Sequence, residues 1–556
     1  MCRIFAYLKK ISENQTVDDS ELYKSFLKIK NGGPDKSQFL DLSQYGVKLG
    51  FHRLAIVDLS VRGDQPFSYE NDDKQIYVIC NGEIYNHIKL KLEFDLDTES
   101  NSDCEVVLRL YLKVGLDKMI ELIDGEFSFC ICEINKNTKE VKLFVGRDQA
   151  GTRMLYITGN DNEVIISSEL QGSPFLNRGY EVLQFMPRHY LEISNFDDKL
   201  FDLQSPKYKT WLDFKNTLTT ITDYDVAKTL IRDTFIECVR SMTMGDRDLC
   251  CLLSGGLDSS IVASILAEHC NEHGIRLYTF SIGMKTSTDK PYAEMVAKHI
   301  GSIHHHIDVT EEECLEALDK IPSVIGSIDI TSNRASCLQY KLLEYISKNT
   351  NFKIVLCGDG SDEVFFSYKY CHYVTDPEIF HNESVRLIED VHMYDGLRAG
   401  MCATHWGLEI RFAFLRKRFL ELIFSISPEL RMPKKGIEKY IMRDAFDQTN
   451  YLPKEVLWRS KEAMSDACSD VTRSWFEIIR DHMETKYTNE ELESAKTKYL
   501  HMPIVSKESL HYRLKFEEAF GTSENTQKVI PYYWLPRFVP DQENITEPSA
   551  RILSVY

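Results

Sequence analysis

The chain has 556 residues, 43% of them apolar and 27% charged, which suits two large domains with real cores and does not suit a disordered chain. Its 85 acidic against 66 basic side chains leave a net charge of -19. That excess repels phosphate backbones and anionic lipid surfaces, so nucleic-acid and membrane partners are disfavoured and a phosphate ligand needs a local site. No stretch reaches the ~20 apolar residues that span a bilayer, and the N-terminus lacks a signal-peptide core, so the chain is expected to be cytoplasmic. Its fifteen cysteines form no CxxC pair. Cys130, Cys132, Cys250 and Cys251 fall in apolar runs and read as buried thiols.

In chain order, residues 1–200 are predicted to be β-rich, with alternating segments at 47–57, 75–80, 128–134, 141–145 and 164–168 broken by Gly, Asn and Asp. Two helices are predicted there, near 20–30 and 103–114, the second with an acidic first turn. A polar, Pro-containing stretch follows, and 201–221 reads as a linker. From 222 long amphipathic helices alternate with short apolar strands at 249–253, 277–281 and 353–357, the pattern of a parallel α/β sheet. Helices dominate after about 370, the second domain is expected to run over 222–540, and 541–556 reads as a loose tail.

Cys2 follows Met1, and its small side chain should permit removal of the initiator methionine. The thiol then lies beside a free α-amine of pKa ~8 that can act as its base. After the strand 75–80, Asn81, Gly82 and Glu83 offer a side-chain amide and a backbone N–H to a developing oxyanion. Their plain structural reading is a β-turn, since Asn-Gly is the strongest short turn signal.

Cys2 is followed in order by GGPD at 32–35, HRLAIVD at 52–58, NGEIYNH at 81–87, SDCE at 102–105, DGEFSF at 124–129 and GRDQAG at 146–151. This series resembles the glutaminase domain of class II amidotransferases, whose nucleophile is an N-terminal cysteine. The resemblance implies that Arg53 pairs with the glutamine carboxylate and that Asp103 and Glu83 hold its ammonium. It makes Asn81 and Gly82 the oxyanion hole, with Leu54, Ile56 and Val57 as walls or backbone contacts. Two departures lie beside the nucleophile: Arg3 stands where the family has Gly, and Asn31-Gly32 where it has His-Arg.

In the second half, SGGLDSS at 254–260 joins an apolar strand to a helix predicted over 261–269. Small residues let backbone N–H groups close on a phosphate, with the helix N-terminus behind them. The string is no Walker A sequence and resembles the loop of ATP pyrophosphatases, with Asp258 best explained as a magnesium ligand. TFSIGM at 279–284, DITSNRAS at 329–336, LCGDGSDE at 356–363, GIEKYIMR at 436–443 and WRSKEAMSD at 458–466 then follow in order. With both halves present, the chain resembles the glutamine-dependent asparagine synthetases.

The fold this implies is an α+β N-terminal nucleophile domain of four αββα layers, then a doubly wound parallel α/β adenylating domain with a helical C-terminal part. ATP would meet Leu252, Ser254, Gly255, Gly256, Asp258, Ser259, Ser260, Ile282, Cys357, Gly358 and Lys461. Thr331, Ser332, Arg334 and Asp359 would shape the aspartate and adenylate site, with Asp359 catalytic, and Asp258 and Asp362 would hold Mg2+. The implied reaction forms β-aspartyl-AMP from L-aspartate and ATP and amidates it with ammonia that Cys2 releases from L-glutamine, through a passage between the domains. Another acceptor carboxylate, or an impaired regulatory homologue, stays as the alternative, and a homodimer stays open. Around the second site Cys357 replaces the family's Ser, Asp359 its Glu, Phe366-Ser367 a small pair, and RFAFLR at 411–416 its RVPFLD.

Overall fold

The computed structural model describes residues 1–10, 17–202, 207–460, 473–540 and 542–546. The first half builds two six-stranded antiparallel sheets. One holds β1 (Arg3–Lys9), β2 (Lys36–Leu42), β3 (Val47–Arg53), β8 (Tyr156–Gly159), β9 (Glu163–Ser167) and β10 (Glu181–Gln184), in the order β10-β8-β9-β1-β3-β2. The other holds β4 (Phe67–Glu70), β5 (Lys74–Ile84), β6 (Gly125–Asn135), β7 (Val141–Arg147), β11 (His189–Ser194) and β12 (Lys209–Thr210), in the order β12-β11-β7-β6-β5-β4.

The period-two alternation of the strands sorts side chains between layers. Ile4, Ala6 and Leu8 of β1 meet Cys130, Cys132 and Ile134 of β6 between the sheets. Phe5 and Tyr7 face outward against Leu22 and Phe26 of the helix Asp19–Lys28. Phe127, Phe129 and Ile131 face outward against the helix Glu105–Leu122. These are the four αββα layers expected.

Several element boundaries differ from the sequence reading. The Asn81-Gly82 pair is no turn, because β5 continues to Ile84 and pairs with β6 throughout, Asn81 opposite Ser128 and Gly82 opposite Phe127. Gly82 has φ 153°, and a Cβ there would lie 2.0 Å from the Glu126 carbonyl oxygen, so close strand approach, not chain reversal, explains this glycine. The helix expected at 103–114 runs to Leu122 across a break at Gly115, and a further short helix covers His87–Glu93. Within 201–221, β12 pairs with β11, while residues 203–206 lie outside the described ones.

The second half carries a five-stranded parallel sheet of β13 (Leu249–Leu252), β14 (Tyr278–Gly283), β15 (Ile303–Asp308), β16 (Ile354–Cys357) and β17 (Glu409–Phe412). Their order, β15-β14-β13-β16-β17, steps outward in both directions from the neighbours β13 and β16. This is doubly wound topology, and its switch point lies between those two strands. Helices cover the sheet and dominate the remainder. Among the described residues no helix is long and apolar enough to cross a membrane.

Candidate active sites

Cys2 precedes β1 at one end of the sandwich. The Leu54 N–H donates to its Sγ at 3.3 Å, and Sγ lies 3.4 Å from the Leu54 carbonyl oxygen. Burial pushes the thiol up to about 11, against the pull of the terminal amine and the Leu54 N–H. With Met1 in place, that amine is buried, donates to the Leu408 and Gly32 carbonyls at 3.0 and 3.3 Å, and is lowered to about 5 by burial.

Asn81 lies on the same side of β5 as Ile79, the side that looks across the sandwich toward the sheet of β1. Both side-chain atoms of Asn81 are buried without a hydrogen-bond partner among the described residues. A buried amide left open is costly unless a ligand completes it. Gly82, one residue on, faces the opposite layer. Glu83 is buried and pushed well up by burial and by Asp103. Asp103 accepts the Ile84 N–H at 2.6 Å and is raised by burial.

Arg53 is held by the loop that follows it. Its guanidinium donates to Asp64 and to the Ser60 carbonyl, each at 2.7 Å, and to the Asp58 and Val57 carbonyls, which fixes the fork. Leu54 and Ile56 are buried in the core that joins the two halves, and Val57 packs against it.

The second site is a cavity of about 320 Å³ at the switch point, where chain connections diverge and leave a crevice beyond the strand ends. Leu252, Ser254, Gly256, Asp258 and Ser259 line it from the β13 side, Ile282 from β14, and Cys357, Gly358, Asp359 and Asp362 from the β16 side. Ser254 Oγ holds the loop by accepting the Gly256 N–H at 3.2 Å and bonding Ser259 Oγ at 2.9 Å. The helix Leu257–Glu272 starts there with no side-chain cap, so its first N–H groups stay available to an anion.

Gly255 and Ser260 are not part of the wall. Gly255, at φ 85°, packs against Ala293 and Tyr292, and Ser260 is buried in the helix. Lys461 lies outside the described residues.

Thr331, Ser332 and Arg334 line the cavity from the helix Ile330–Asn349. Ser332 is engaged by the helix cap, giving its N–H and Oγ–H to Asp329 Oδ2, each at 2.8 Å. Arg334 is gripped by Glu508, with Nε at 2.7 Å from Oε1. Asp359 Oδ1 accepts from Arg398 Nη2 at 2.9 Å, and Arg398 also binds Asp395 and Gln339 at 2.8 and 2.6 Å.

Residues 1–181 match the glutamine amidotransferase domain family, and residues 230–377 and 372–529 match the asparagine synthase family. The glutamine-hydrolyzing asparagine synthetase of Cricetulus griseus is 36% identical over 554 residues, with 96% of each chain covered. That of Gallus gallus is 36% identical over 550 residues and that of Homo sapiens 35% over 554, again with 96% of each chain covered. The chain belongs to the glutamine-hydrolysing asparagine synthetase family.

In this member of the asparagine synthetase family the structure adds residues that sequence reasoning did not single out. Lys439 Nζ bridges Asp258 Oδ2 at 2.6 Å and Asp362 Oδ1 at 2.7 Å. It belongs to the GIEKYIMR string, whose presence was the signal, but its partners lie 181 and 77 residues away in sequence. Arg459 pairs with Asp289 at 2.8 Å and donates to the Gly255 carbonyl at 3.3 Å, tying the 254–260 loop to the segment before 461. Buried bonds also join the halves: Arg153, paired with Glu126 at 2.8 Å inside the first half, donates to the Ile410 carbonyl at 3.0 Å, and the Phe412 N–H donates to Glu126 at 2.8 Å.

Proposed function

We propose that this chain makes L-asparagine from L-aspartate, L-glutamine and ATP, with AMP, pyrophosphate and L-glutamate as the other products. The observation that carries this reading is the switch-point cavity, in which an open helix N-terminus and two convergent aspartates face Asp359 and its Arg398 partner. Loss of Met1 would place the α-amine on Cys2, next to its own thiol, where it takes the thiol proton as sulfur attacks the glutamine amide carbon. The negative oxygen would be met by the Asn81 amide and the Gly82 N–H. Ammonia leaves with the returned proton, and water then frees glutamate from the thioester. Arg53 would take the glutamine carboxylate, and Glu83 and Asp103 its ammonium, a cation that would draw both raised carboxyls toward their charged forms.

In the cavity, Ser254, Gly256 and Ser259 would cradle the outer phosphates, with Gly255 giving the loop its turn and Ser260 buried behind it, and Lys461 would meet the α-phosphate. Leu252, Ile282, Cys357 and Gly358 would flank the nucleoside. The aspartate and its adenylate would be held among Thr331, Ser332 and Arg334, where the β-carboxylate would attack the α-phosphorus and expel pyrophosphate. The donor set fits Mg2+: carboxylate oxygens of Asp258 and Asp362 converge on one cation, the Lys439 ammonium, and hard oxygen donors suit that ion. When bound, Mg2+ supplies neutralisation of phosphate charge. Asp359 would orient the incoming ammonia or hold its proton during amide formation.

The test is product analysis with [amide-15N]glutamine, aspartate and MgATP. Labelled asparagine with equimolar AMP is expected, and ADP with phosphate would overturn the adenylate assignment. Cys2→Ala should lose glutamine-dependent synthesis and keep ammonia-dependent synthesis, and loss of both in a folded variant would refute the division of labour.

A further inference from the structure

Arg3, the first residue of β1, is fully buried. Its Nε donates to Glu169 Oε1 at 2.7 Å and its Nη1 to the Cys2 carbonyl at 3.0 Å. Glu169 is itself held, its Oε2 accepting from Gln171 Nε2 at 2.6 Å. A buried guanidinium is tolerated only when paired and hydrogen-bonded, and one of these bonds reaches the backbone of the nucleophile itself.

The space for this side chain exists because residue 32 has none. A Cβ at Gly32 would fall 2.7 Å from Arg3 Nε and 2.9 Å from both Arg3 Cγ and Thr404 Cγ2. The glycine's φ is not left-handed, so backbone freedom does not require it there, and room does. The two departures noted beside the nucleophile are thus reciprocal: the family pattern has Gly at 3 and Arg at 32, and this chain has Arg at 3 and Gly at 32. In this chain the guanidinium beside the nucleophile comes from β1, over the bare backbone of Gly32.

We propose that Arg3 is a positioning residue for Cys2, and that Gly32 is the complement that admits its guanidinium. This rests on the reading of Cys2 as the glutaminase nucleophile. By gripping the Cys2 carbonyl, Arg3 fixes the peptide plane from which the thiol projects. Misplacement of a nucleophile by ~1 Å costs up to about a hundredfold. A lysine can give a single donor group to either the Cys2 carbonyl or Glu169 but lacks the fork that reaches both.

The test uses the full-length protein with four variants: Arg3→Gly, Gly32→Arg, Arg3→Gly with Gly32→Arg, and Arg3→Lys. Glutaminase kcat and glutamine KM are read for each, with ammonia-dependent synthesis reporting the fold. Each glycine–arginine single variant is expected to lose about ten- to a hundredfold in kcat with KM little changed. Arg3→Lys should fall between them and wild type. The double variant should recover most of kcat, because the guanidinium returns to the same space. Wild-type kcat in Arg3→Gly, or a double variant no better than Arg3→Gly, overturns the proposal. A wild-type protein without glutaminase activity would overturn the Cys2 reading and this one with it, whereas an active enzyme indifferent to Arg3 overturns this one alone.

Discussion

Lys439 sits at φ 53°, a left-handed conformation that costs a lysine roughly 1 kcal/mol or more, and its ammonium is what holds Asp258 and Asp362 together. Removing it leaves two carboxylates facing each other and takes a positive charge from the place where pyrophosphate would form. Lys439→Ala is therefore expected to lower asparagine synthesis by at least about a hundredfold, in the range seen when a charge-stabilising group is removed, while glutaminase activity persists. Parallel assays with ammonia and with glutamine alone check this. Asp359 is bonded to Arg398 at 2.9 Å, so its carboxylate has a fixed partner that the shorter side chain reaches. Asp359→Ala should abolish synthesis and spare glutamine hydrolysis. Asp359→Glu adds a methylene of ~1.5 Å toward Arg398 and should bring no gain, and a rise in kcat would show that the shorter carboxylate is a defect. Cys2, Asp258 and Asp362 were legible in the sequence because each lies inside a short string with its own chemistry. Lys439, Arg398 and Arg459 were not, since each acquires meaning from partners that only the folded chain brings within 3 Å.

At the scale of elements, the helix Ile330–Asn349 shows how a cap can serve a site. Asp329 accepts the Ser332 N–H and hydroxyl with one oxygen and the Trp534 N–H at 2.7 Å with the other, so it starts the helix carrying Thr331 and Ser332 and anchors the C-terminal segment. Loss of such a cap costs roughly 1 kcal/mol. Burial pushes the Asp329 carboxyl up to about 6, so between about pH 4 and pH 6 the folded chain keeps a proton that the unfolded chain has released. Its contribution to stability is therefore full below about pH 4 and declines as pH rises through 6. Asp329→Ala should lower Tm, and the gap from wild type should be wider at pH 5 than at pH 7.5. A gap that widens with pH would mean that the carboxyl is charged throughout. The alternation that predicted strands at 128–134 and 141–145 was legible, as was the α/β pattern after 222, because burial on one face writes itself into sequence at a fixed period. The extension of β5 through Asn81-Gly82 was not, because that pair's turn propensity is overridden by β6, whose backbone approaches too closely for any side chain at Gly82.

At the scale of the whole molecule, the second half reaches into the first beside Glu83. The strand β17 of the parallel sheet lends Arg411, 3.7 Å from Glu83 of β5, and the turn after it lends Arg416. Arg416 donates to Asp124 at 2.8 Å across the domain boundary and to Ser241 Oγ at 2.6 Å, and its guanidinium lies 4.0 Å from the centroid of the Tyr85 ring, close enough for a cation–π contact. Tyr85 is two residues beyond Glu83, so this contact reaches the strand end that carries Asn81 and Gly82, the proposed oxyanion pair. The family's usual residue at 416 is Asp, and an Asp placed here would face Asp124 with no cation between them. Breaking a buried pair while leaving one charge behind typically costs about 3–5 kcal/mol; Asp124 is partly exposed, which reduces the cost. That energy is concentrated at the domain boundary and not in either site. Arg416→Asp is therefore expected to leave glutaminase and ammonia-dependent synthesis each within about threefold of wild type, while less of the ammonia released becomes asparagine. Arg416→Leu, which removes the pair without adding repulsion, should show a milder fall. The measurement is the ratio of asparagine formed to glutamate released at saturating aspartate and MgATP, with glutamine as the sole nitrogen donor. A ratio unchanged in Arg416→Asp would show that the boundary pair has no part in coupling, and that the linkage runs through the Arg153, Glu126 and Phe412 contacts alone.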